Sequence, residues 1–301
     1  MRIFFIGEGR LGNQIFQYAA LSSIAPAGAR IFAVGLEDLA GLFELRGPSL
    51  TVLRGGIWLK RFAKQVLAPW LLRPLARRLR LISYACEPER GDDYRGSGGE
   101  FELRRGLIAG LLFVDGGYYQ SSEFWGDLFP PRSLTLRASW RTHARQILAQ
   151  HAGRVPARPC FLHVRRGDYL GYSSHGVSDL TLPAEFFRRA IEELRQRADF
   201  DLLALVTDDP QWARAEFASV ANSVVISADP RTDFAVMAEC AGGIVSNSTF
   251  SLAAALFMRN PALVIAPEYW FGFRVNRWLP PKIRFEHPRI AYLPVLPRAA
   301  A

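Results

Sequence analysis

The sequence predicts an α/β protein built from two facing Rossmann-like domains. Short apolar runs alternate with amphipathic segments in both halves of the chain, and this alternation is typical of βαβ units around a parallel sheet. Near the start, a glycine turn at residues 7–12 joins the first strand to the first helix. The chain has 301 residues, enough for two domains of this kind. We expect them at residues 1–152 and 153–301, with a cleft between them.

The first half opens with an apolar run at residues 3–6, predicted to be a strand. The glycine turn follows and leads into a helix over 13–24 and a second strand at 30–34. A further apolar run at 107–114 predicts a strand, and residues 142–151 predict a helix.

Alternation is clearer in the second half. Strands are predicted at 160–164, 202–206, 224–227, 244–246 and 262–266. The helix at 183–198 begins with a proline and has an apolar face. Asp209 and Pro210 fit an N-cap followed by proline in the first helical position, which predicts a helix to 218. The remaining helices are expected at 233–241 and 249–258.

Composition excludes several classes of protein. Half of the residues are apolar and 22% are charged, so the chain is not of the intrinsically disordered class. Cys86, Cys160 and Cys240 are scattered and form neither a disulfide framework nor a Cys-x-x-Cys pair, which fits a reducing compartment. We find no secretory signal and no uncharged run of about 20 residues that could span a membrane. These features predict a cytoplasmic protein.

The excess positive charge is local. The net charge is +9, and residues 54–82, called here the basic segment, contain eight Lys or Arg and no acidic residue. Tryptophan and leucine side chains alternate with those charges, a pattern that predicts peripheral contact with an anionic membrane, such as the inner face of the cytoplasmic membrane. Two other interpretations remain open: a solvated helical face whose arginine stems cover the core, and a nucleic-acid site. The rest of the chain offers no supporting basic surface, so we expect no nucleic-acid partner.

The glycine turn supports one alternative function. Residues 7–12 match Gly-x-Gly-x-x-Gly between a strand and a helix, and an acidic residue, Glu37, follows the second strand. This is the arrangement of dinucleotide-binding enzymes, so an NAD(P)-dependent enzyme is a second hypothesis. However, the polar pair Asn13 and Gln14 comes directly after the turn, where such enzymes usually have small or apolar residues. A tight turn that simply requires glycine is the structural alternative.

The most informative segment is residues 163–169, His-Val-Arg-Arg-Gly-Asp-Tyr. It lies where a predicted strand ends, which is where α/β proteins bind ligands. Two guanidinium groups there can grip a pyrophosphate through paired hydrogen bonds. Gly167 would allow a sharp turn, and Asp168 could orient an arginine or accept a proton. Alternatively, the two arginines lie on the surface and Asp168 is their salt-bridge partner.

Two further strand ends carry polar residues. Asp209 fits the N-cap role, which would leave Asp208 free to accept hydrogen bonds from a guanine edge. Residues 246–251, Ser-Asn-Ser-Thr-Phe-Ser, join a strand to a helix, where hydroxyls and backbone N–H groups favour anions. Asp199 and Asp201 form an Asp-x-Asp pair, but they precede their strand and should lie at the opposite end of the sheet.

Taken together, these segments resemble the α-1,2-fucosyltransferase family, glycosyltransferase family 11 of the fucosyltransferase superfamily. Residues 9–19 are similar to the family's opening motif Gly-x-x-Gly-Asn-Gln-x-Phe-Gln-Tyr-Ala, and residues 117–121 to its Gly-Tyr-Phe-Gln-Ser segment. The stretch 163–169 matches His-x-Arg-Arg-Gly-Asp-Tyr. Residues 207–209 and 246–251 match the later motifs. The sequence departs from the family at Leu252 and Ala253, at Gly242 and Gly243, and in the basic segment.

The resemblance implies an inverting, metal-independent enzyme of GT-B architecture that transfers fucose from GDP-fucose to an acceptor glycan, with galactose O2 as the expected acceptor atom. It implies an acceptor-side domain at 1–152 and a donor-binding domain at 153–301. No cofactor is implied. The donor-binding residues implied are His163, Arg165, Arg166, Asp208, Ser246, Asn247, Ser248, Thr249 and Phe250, with Gly12, Asn13 and Gln14 from the first domain. A sugar-nucleotide-binding protein without catalytic activity is a further alternative.

The expected chemistry assigns catalytic roles to three residues. Arg165 would stabilise the negative charge that develops on the pyrophosphate as GDP leaves. Inversion also requires a base that takes the proton of the acceptor hydroxyl. Glu8 and Asp168 are the two candidates, and Asp168 could instead brace an arginine.

Overall fold

The structure is a computed structural model, and it describes residues 1–87, 101–120, 124, 133–155, 158–174, 176–279 and 283–296. The chain divides into two compact units, Met1–Thr135 and Leu136–Ala301. Each unit contains a six-stranded sheet. The prediction of two α/β units with Rossmann-like sheets is therefore confirmed.

The first unit is built on a sheet with the strand order β4-β2-β1-β7-β5-β6. Neighbours in this sheet are parallel, except that β6 runs antiparallel to β5. β3 and β8 form a separate two-stranded sheet. The strands are β1 (Arg2–Ile6), β2 (Arg30–Val34), β3 (Phe43–Leu45), β4 (Ser49–Val52), β5 (Ser83–Cys86), β6 (Glu102–Arg104), β7 (Leu111–Val114) and β8 (Leu134–Leu136), and the α-helices are α1 (Leu11–Ile24), α2 (Glu37–Leu42) and α3 (Gly56–Phe62).

The basic segment is helical for most of its length. After α3 the chain continues as π-helical turns over Ala63–Leu72 and Pro74–Arg78. Its inner face is buried on the sheet, where Ala63, Ala68 and Ala76 pack in one cluster with core residues of β1, β2, β5 and β7. Arg73 adds a bidentate ion pair with Asp115, at 2.7 and 3.0 Å. In the described part of the chain, no helix is both long and apolar enough to cross a membrane.

The second unit is an open parallel sheet with the order β13-β12-β9-β14-β15-β16. Helices connect successive strands, as the alternation predicts. The strands are β9 (Pro159–Val164), β12 (Leu202–Thr207), β13 (Ser223–Ile226), β14 (Gly242–Ile244), β15 (Val264–Pro267) and β16 (Ile290–Leu293), with a small hairpin of β10 (Ser173–Ser174) and β11 (Val177–Ser178). The helices are α4 (Ala138–Ala152), α5 (Ala184–Arg197), α6 (Pro210–Glu216), α7 (Pro230–Ala238) and α8 (Thr249–Leu256), with 3₁₀ turns at Gly167–Tyr169 and Trp270–Val275.

Strands β9 and β12 are buried at every position, because helices cover both faces of a parallel sheet of this kind. The same packing explains the glycine at position 243 of β14. A Cβ added to Gly243 would lie 2.4 Å from the ring of Phe161 on the neighbouring strand β9. Gly243 is therefore required by the close approach of two central strands.

The boundary between the units lies 17 residues before the predicted one, at Thr135 instead of residue 152. Helix α4, which the sequence analysis assigned to the first domain, packs against α7 of the second unit. Arg141 of α4 forms an ion pair with Glu239, at the end of α7, and also donates to the Phe257 carbonyl at 3.2 Å. The Glu239 carboxylate is only 9% exposed, so this contact ties α4 firmly to the second unit.

This ion pair predicts a difference between two neighbouring arginines. Arg141→Ala should lower the free energy of unfolding by about 3 kcal/mol, because it strips a buried carboxylate of its buried partner. Arg145→Ala removes the same carboxylate's second partner, whose side chain is 58% exposed, and should cost about 0–1 kcal/mol. Urea denaturation followed by circular dichroism measures both; equal losses in the two variants would show that Arg141 does not anchor α4.

Candidate active site at the strand ends of the second unit

The strand order of the second unit fixes where a ligand can bind. Within the sheet, β12 and β13 lie on one side of strand β9, and the chain then returns to β14 on the other side of β9. Such a reversal leaves a crevice at the carboxyl ends of the two central strands, which is where open α/β sheets bind ligands. The residues after β9, β12 and β14 therefore meet at one edge. These are the residues that the sequence analysis singled out.

Arg165 occupies the centre of this edge. Its guanidinium contacts Asp168 Oδ1 at 2.6 Å and Asp208 Oδ2 at 3.0 Å, and it lies 5.7 Å from the centre of the Tyr169 ring. The side chain is 18% exposed. An arginine has five N–H donors, so these two ion pairs fix its orientation and leave other donors for a ligand. Asp168 is therefore a salt-bridge partner of Arg165, as the surface alternative predicts, but the arginine itself is mostly buried.

Arg166 is held in a different way. Its Nε donates to Asp209 Oδ2 at 3.1 Å, and its guanidinium stacks 4.2 Å from the centre of the Trp212 ring. Asp209 also accepts a hydrogen bond from the Trp212 backbone N–H at 3.1 Å, which confirms its predicted role as the N-cap of α6. One aspartate therefore both starts a helix and positions an arginine.

Asp208 is not free, contrary to the expectation from the sequence. Its Oδ2 pairs with Arg165, and its Oδ1 accepts the backbone N–H of Arg166 at 2.9 Å. Both carboxylate oxygens are thus used within the β9 loop. The carboxylate can approach so closely only because residue 167 is glycine: a Cβ there would lie 2.8 Å from Asp208 Oδ2. Gly167 is required by this close approach.

His163 and Ser246 link the ends of β9 and β14. His163 Nδ1 and Ser246 Oγ share a hydrogen bond of 2.7 Å, and both residues are buried. Burial, together with the nearby positive charge of Arg165, lowers the pKa of His163 to about 3. The imidazole is therefore neutral at pH 7, so it can offer or accept a hydrogen bond but contributes no positive charge to the site.

The loop after β14 is buried and polar. Asn247 Nδ2 donates to the Leu180 carbonyl at 2.8 Å, and its own backbone carbonyl accepts from the Tyr169 hydroxyl at 3.2 Å. Among the described residues, Asn247 Oδ1 has no hydrogen-bond partner. Ser248 caps α8 through the Phe250 N–H, and Thr249 is the first residue of that helix. The amino terminus of α8 therefore points its partial positive charge toward this edge of the sheet.

The other predicted residues lie in the first unit, at the end of β1. Glu8 forms an ion pair with Lys64 of the basic segment at 2.8 Å. The Asn13 side chain lies against Gly9 and accepts from Gln120 at 2.8 Å. Gln14 is buried and contacts α2, accepting from the Leu39 N–H at 3.0 Å and donating to Asp38 at 3.3 Å.

Gly12 is buried in the first turn of α1. Glu37 lies in the first turn of α2, three residues beyond the end of β2. A contact of Gly12, Asn13 or Gln14 with the sugar-nucleotide donor stays a prediction. Ser121, the last residue of the 117–121 motif, lies outside the described residues.

Sequence reasoning missed three residues that shape the strand ends. Tyr169 and Trp212 stack on the two arginines, and an aromatic residue close to an arginine motif was the available signal. The third is Asp233, in the first turn of α7. Burial raises the pKa of its carboxyl to about 7, although it accepts the Ala228 N–H at 3.0 Å.

The Asp199 and Asp201 pair lies before β12, as expected, where Asp201 contacts Arg154 and the Arg158 N–H.

Among solved structures, the chain is similar to POFUT1 in complex with GDP-fucose, with a TM-score of 0.50 and 11% identity over 88% of this chain and 97% of that one. At this identity the likeness concerns the fold alone.

The chain is also similar in sequence to proteins named as fucosyltransferases. Galactoside alpha-(1,2)-fucosyltransferase 1 of Ateles belzebuth is 27% identical over 274 residues, 86% of this chain and 66% of that protein. Galactoside alpha-(1,2)-fucosyltransferase 2 of Hylobates lar is 24% identical over 298 residues, 95% of this chain and 76% of that protein. The chain thus spans about two thirds of the length of the first of these relatives.

The family is shown by a match to the model of glycosyl transferase family 11 over residues 116–274. This range is more than half of the chain, and it includes the ends of β9, β12 and β14 with both arginines. It leaves out the glycine turn at residues 7–12. The chain belongs to glycosyl transferase family 11.

Proposed function

We propose that this chain is a fucosyltransferase that transfers fucose from GDP-fucose to a hydroxyl of a galactoside acceptor. The observation that supports this most strongly is Arg165, half-buried between Asp168 and Asp208 at the switch point of a parallel sheet. Further support comes from family membership and from relatives that are named galactoside alpha-(1,2)-fucosyltransferases.

The donor diphosphate is assigned to the crevice between the ends of β9 and β14. Arg165 and Arg166 supply guanidinium donors from one side, and the amino terminus of α8 supplies a favourable dipole from the other. A pyrophosphate suits this arrangement, since guanidinium groups bind its oxygens in pairs. His163, Asn247 and Ser248 complete the polar lining. Because His163 is neutral, the positive charge of the site comes from the arginines.

Arg165 is assigned the central catalytic role. Breaking the bond between fucose and phosphate leaves negative charge on the departing GDP, and a donor already fixed in place stabilises that charge without reorganisation. The two carboxylates that hold Arg165 provide this fixed orientation. The site is proposed to work in this way without a metal ion, with inversion at the fucose carbon and galactose O2 as the attacking atom.

The attacking hydroxyl must also lose a proton. Asp168 and Glu8 are both ion-paired, with Arg165 at 2.6 Å and with Lys64 at 2.8 Å. We assign Asp168 to the positioning of Arg165, because Arg165 has the central catalytic role, and keep Glu8 as the candidate for the base. A base at Glu8 requires that Glu8→Gln lower kcat strongly while GDP binding is unchanged; loss of GDP affinity in this variant would contradict the assignment.

Replacing Arg165 should damage turnover far more than folding. We expect Arg165→Ala to lower kcat by about 10²–10³, the scale for one lost charge-stabilising donor, and Arg165→Lys to recover only part of it because lysine lacks the planar fork. Initial rates of GDP release from GDP-fucose with a galactoside acceptor measure this.

The matched control is Arg158→Ala, just before β9 at the other end of the same strand, where the arginine pairs with exposed Asp199. This variant should retain normal turnover. Near-normal turnover in Arg165→Ala would contradict the proposed role of Arg165.

A binding titration separates this proposal from the dinucleotide alternative. Calorimetry in EDTA should give micromolar affinity for GDP and no heat with NADH, since unused arginine N–H groups and the amino terminus of α8 supply hydrogen-bond donors to the diphosphate. Binding of NADH without binding of GDP would indicate that the glycine turn binds a dinucleotide and would contradict the proposed use of GDP-fucose. GDP binding that disappears in EDTA would contradict metal independence but not the donor site itself.

A further inference from the structure

The outer face of the basic segment is exposed and apolar, and the proposed reaction does not use it. Trp58 and Trp70 are 76% and 79% exposed, and further hydrophobic side chains on this face are also exposed: Ile57, Phe62, Val66 and Leu71. Single exposed hydrophobic residues are ordinary on a protein surface, but a contiguous group of this kind marks an interaction site.

The spacing of four of these side chains places them on one side of the helix, and Ile57 and Leu71 are sequence neighbours of Trp58 and Trp70. Trp58, Phe62, Val66 and Trp70 recur every four residues along α3 and the π-helical turns that follow. A step of four residues goes slightly past one full turn in an α-helix and falls slightly short of one full turn in a π-helix. The angular offsets of successive side chains therefore have opposite signs in the two parts and largely cancel. The opposite side of the same helix is already buried on the sheet through Ala63 and Ala68. The helix therefore has two apolar faces, and the core explains only one.

Positive charge surrounds the outer face. Arg61 lies over the Trp58 ring at 5.9 Å, and Arg54, Arg78 and Arg80 are exposed on the same segment, whereas Arg77 lies over the Tyr84 ring of β5. Lys64 and Arg73 are paired with acidic residues of the first unit. Within the described ranges, no ion pair joins Arg61, Arg77 or Arg78 to a carboxylate. The basic segment contains no acid of its own, so its outer surface is both apolar and cationic.

We propose that this face docks peripherally on an anionic lipid bilayer. Tryptophan and phenylalanine would enter the boundary between headgroups and acyl chains, and the arginines would contact lipid phosphates on long flexible stems. The segment lies flat because its inner face is fixed to the sheet. This inference is independent of the proposed transferase activity.

Two other occupants fit less well. A second copy of the chain in a two-fold dimer would bring two like-charged segments together, which is unfavourable. A nucleic acid would satisfy the arginines, but Ile57, Val66 and Leu71 have no aromatic face on which a base could stack. A lipid bilayer accommodates aliphatic and aromatic side chains equally well and supplies the negative charge.

Flotation of the full chain with vesicles tests the proposal. Vesicles of phosphatidylcholine should bind weakly, and those with about 30% phosphatidylglycerol should bind strongly at low salt. Raising the salt to about 0.5 M should weaken binding, since screening shortens the reach of the arginines. No binding, or equal binding to neutral and anionic vesicles, would overturn the proposal.

Variants separate the apolar contribution from the charges. Trp58→Ser combined with Trp70→Ser should lower the partition coefficient by about 100-fold, since each buried tryptophan contributes roughly tenfold or more. Arg61→Gln combined with Arg78→Gln should lower it by roughly tenfold and flatten the salt dependence. Both pairs are exposed, so folding should survive, and unchanged circular dichroism verifies this. Val155→Ser, an exposed apolar residue of the second unit, is the control and should bind as the parent does.

Three further outcomes would overturn the proposal. Unchanged vesicle binding by the double tryptophan variant would mean that the surface binds only through its positive charges, without insertion of apolar side chains. Tighter binding to duplex DNA than to anionic vesicles would assign the surface to nucleic acid. A dimer in sedimentation equilibrium that dissociates in the double tryptophan variant would assign the face to a second copy of this chain.

Discussion

The second unit depends on one electrostatic constraint: two adjacent arginines at the end of a buried strand must be neutralised and oriented. Three carboxylates do this. Asp168 and Asp208 hold Arg165, and Asp209 holds Arg166. Charges at the edge of a low-dielectric core are costly unless they are paired. The local sequence around the strand ends follows from this requirement, including the glycine at position 167 that lets Asp208 approach.

The same network suits an anionic ligand. Two guanidinium groups facing three carboxylates have no excess positive charge, so an incoming diphosphate cannot be attracted by net charge alone. Its affinity depends on donors that the carboxylates leave unused and on the amino terminus of α8. A diphosphate is therefore held mainly by correctly oriented hydrogen-bond donors and less by net charge. Donors with a fixed orientation are what stabilises charge in a transition state. His163 adds no positive charge, since burial, together with the nearby Arg165, lowers the pKa of its imidazole.

The sequence predicted the second unit well for a physical reason. Its four inner strands are buried on both faces, so they are continuous apolar runs. The N-caps at Asp209 and Ser248 are local signals. The first unit was harder. Strands such as β4 and β6 are short and partly exposed, and the basic segment has apolar residues on two faces, so no single period marks its buried side.

Side-chain roles were predictable only in part. Asp208 was expected to be free because its neighbour caps a helix, yet both its oxygens are used by residues 42–43 positions earlier in the chain. The Gln14 side chain is buried and contacts α2 through Leu39 and Asp38, which its position after the glycine turn does not indicate. Likewise, α4 belongs to the second unit through an ion pair with Glu239, almost 100 residues away. Contacts between residues distant in sequence leave no local pattern, so they become visible only in the folded chain.

The reaction product gives the most direct test of fucose transfer to a galactoside. The full chain is incubated with GDP-fucose and a β-galactoside in EDTA, and the product is examined by nuclear magnetic resonance. The proposed displacement should give a new fucosyl residue on galactose O2 with the anomeric configuration opposite to that of the donor. No turnover of GDP-fucose, with GDP bound tightly, would identify a sugar-nucleotide-binding protein without catalytic activity. Retention of configuration would contradict direct displacement at the fucose carbon.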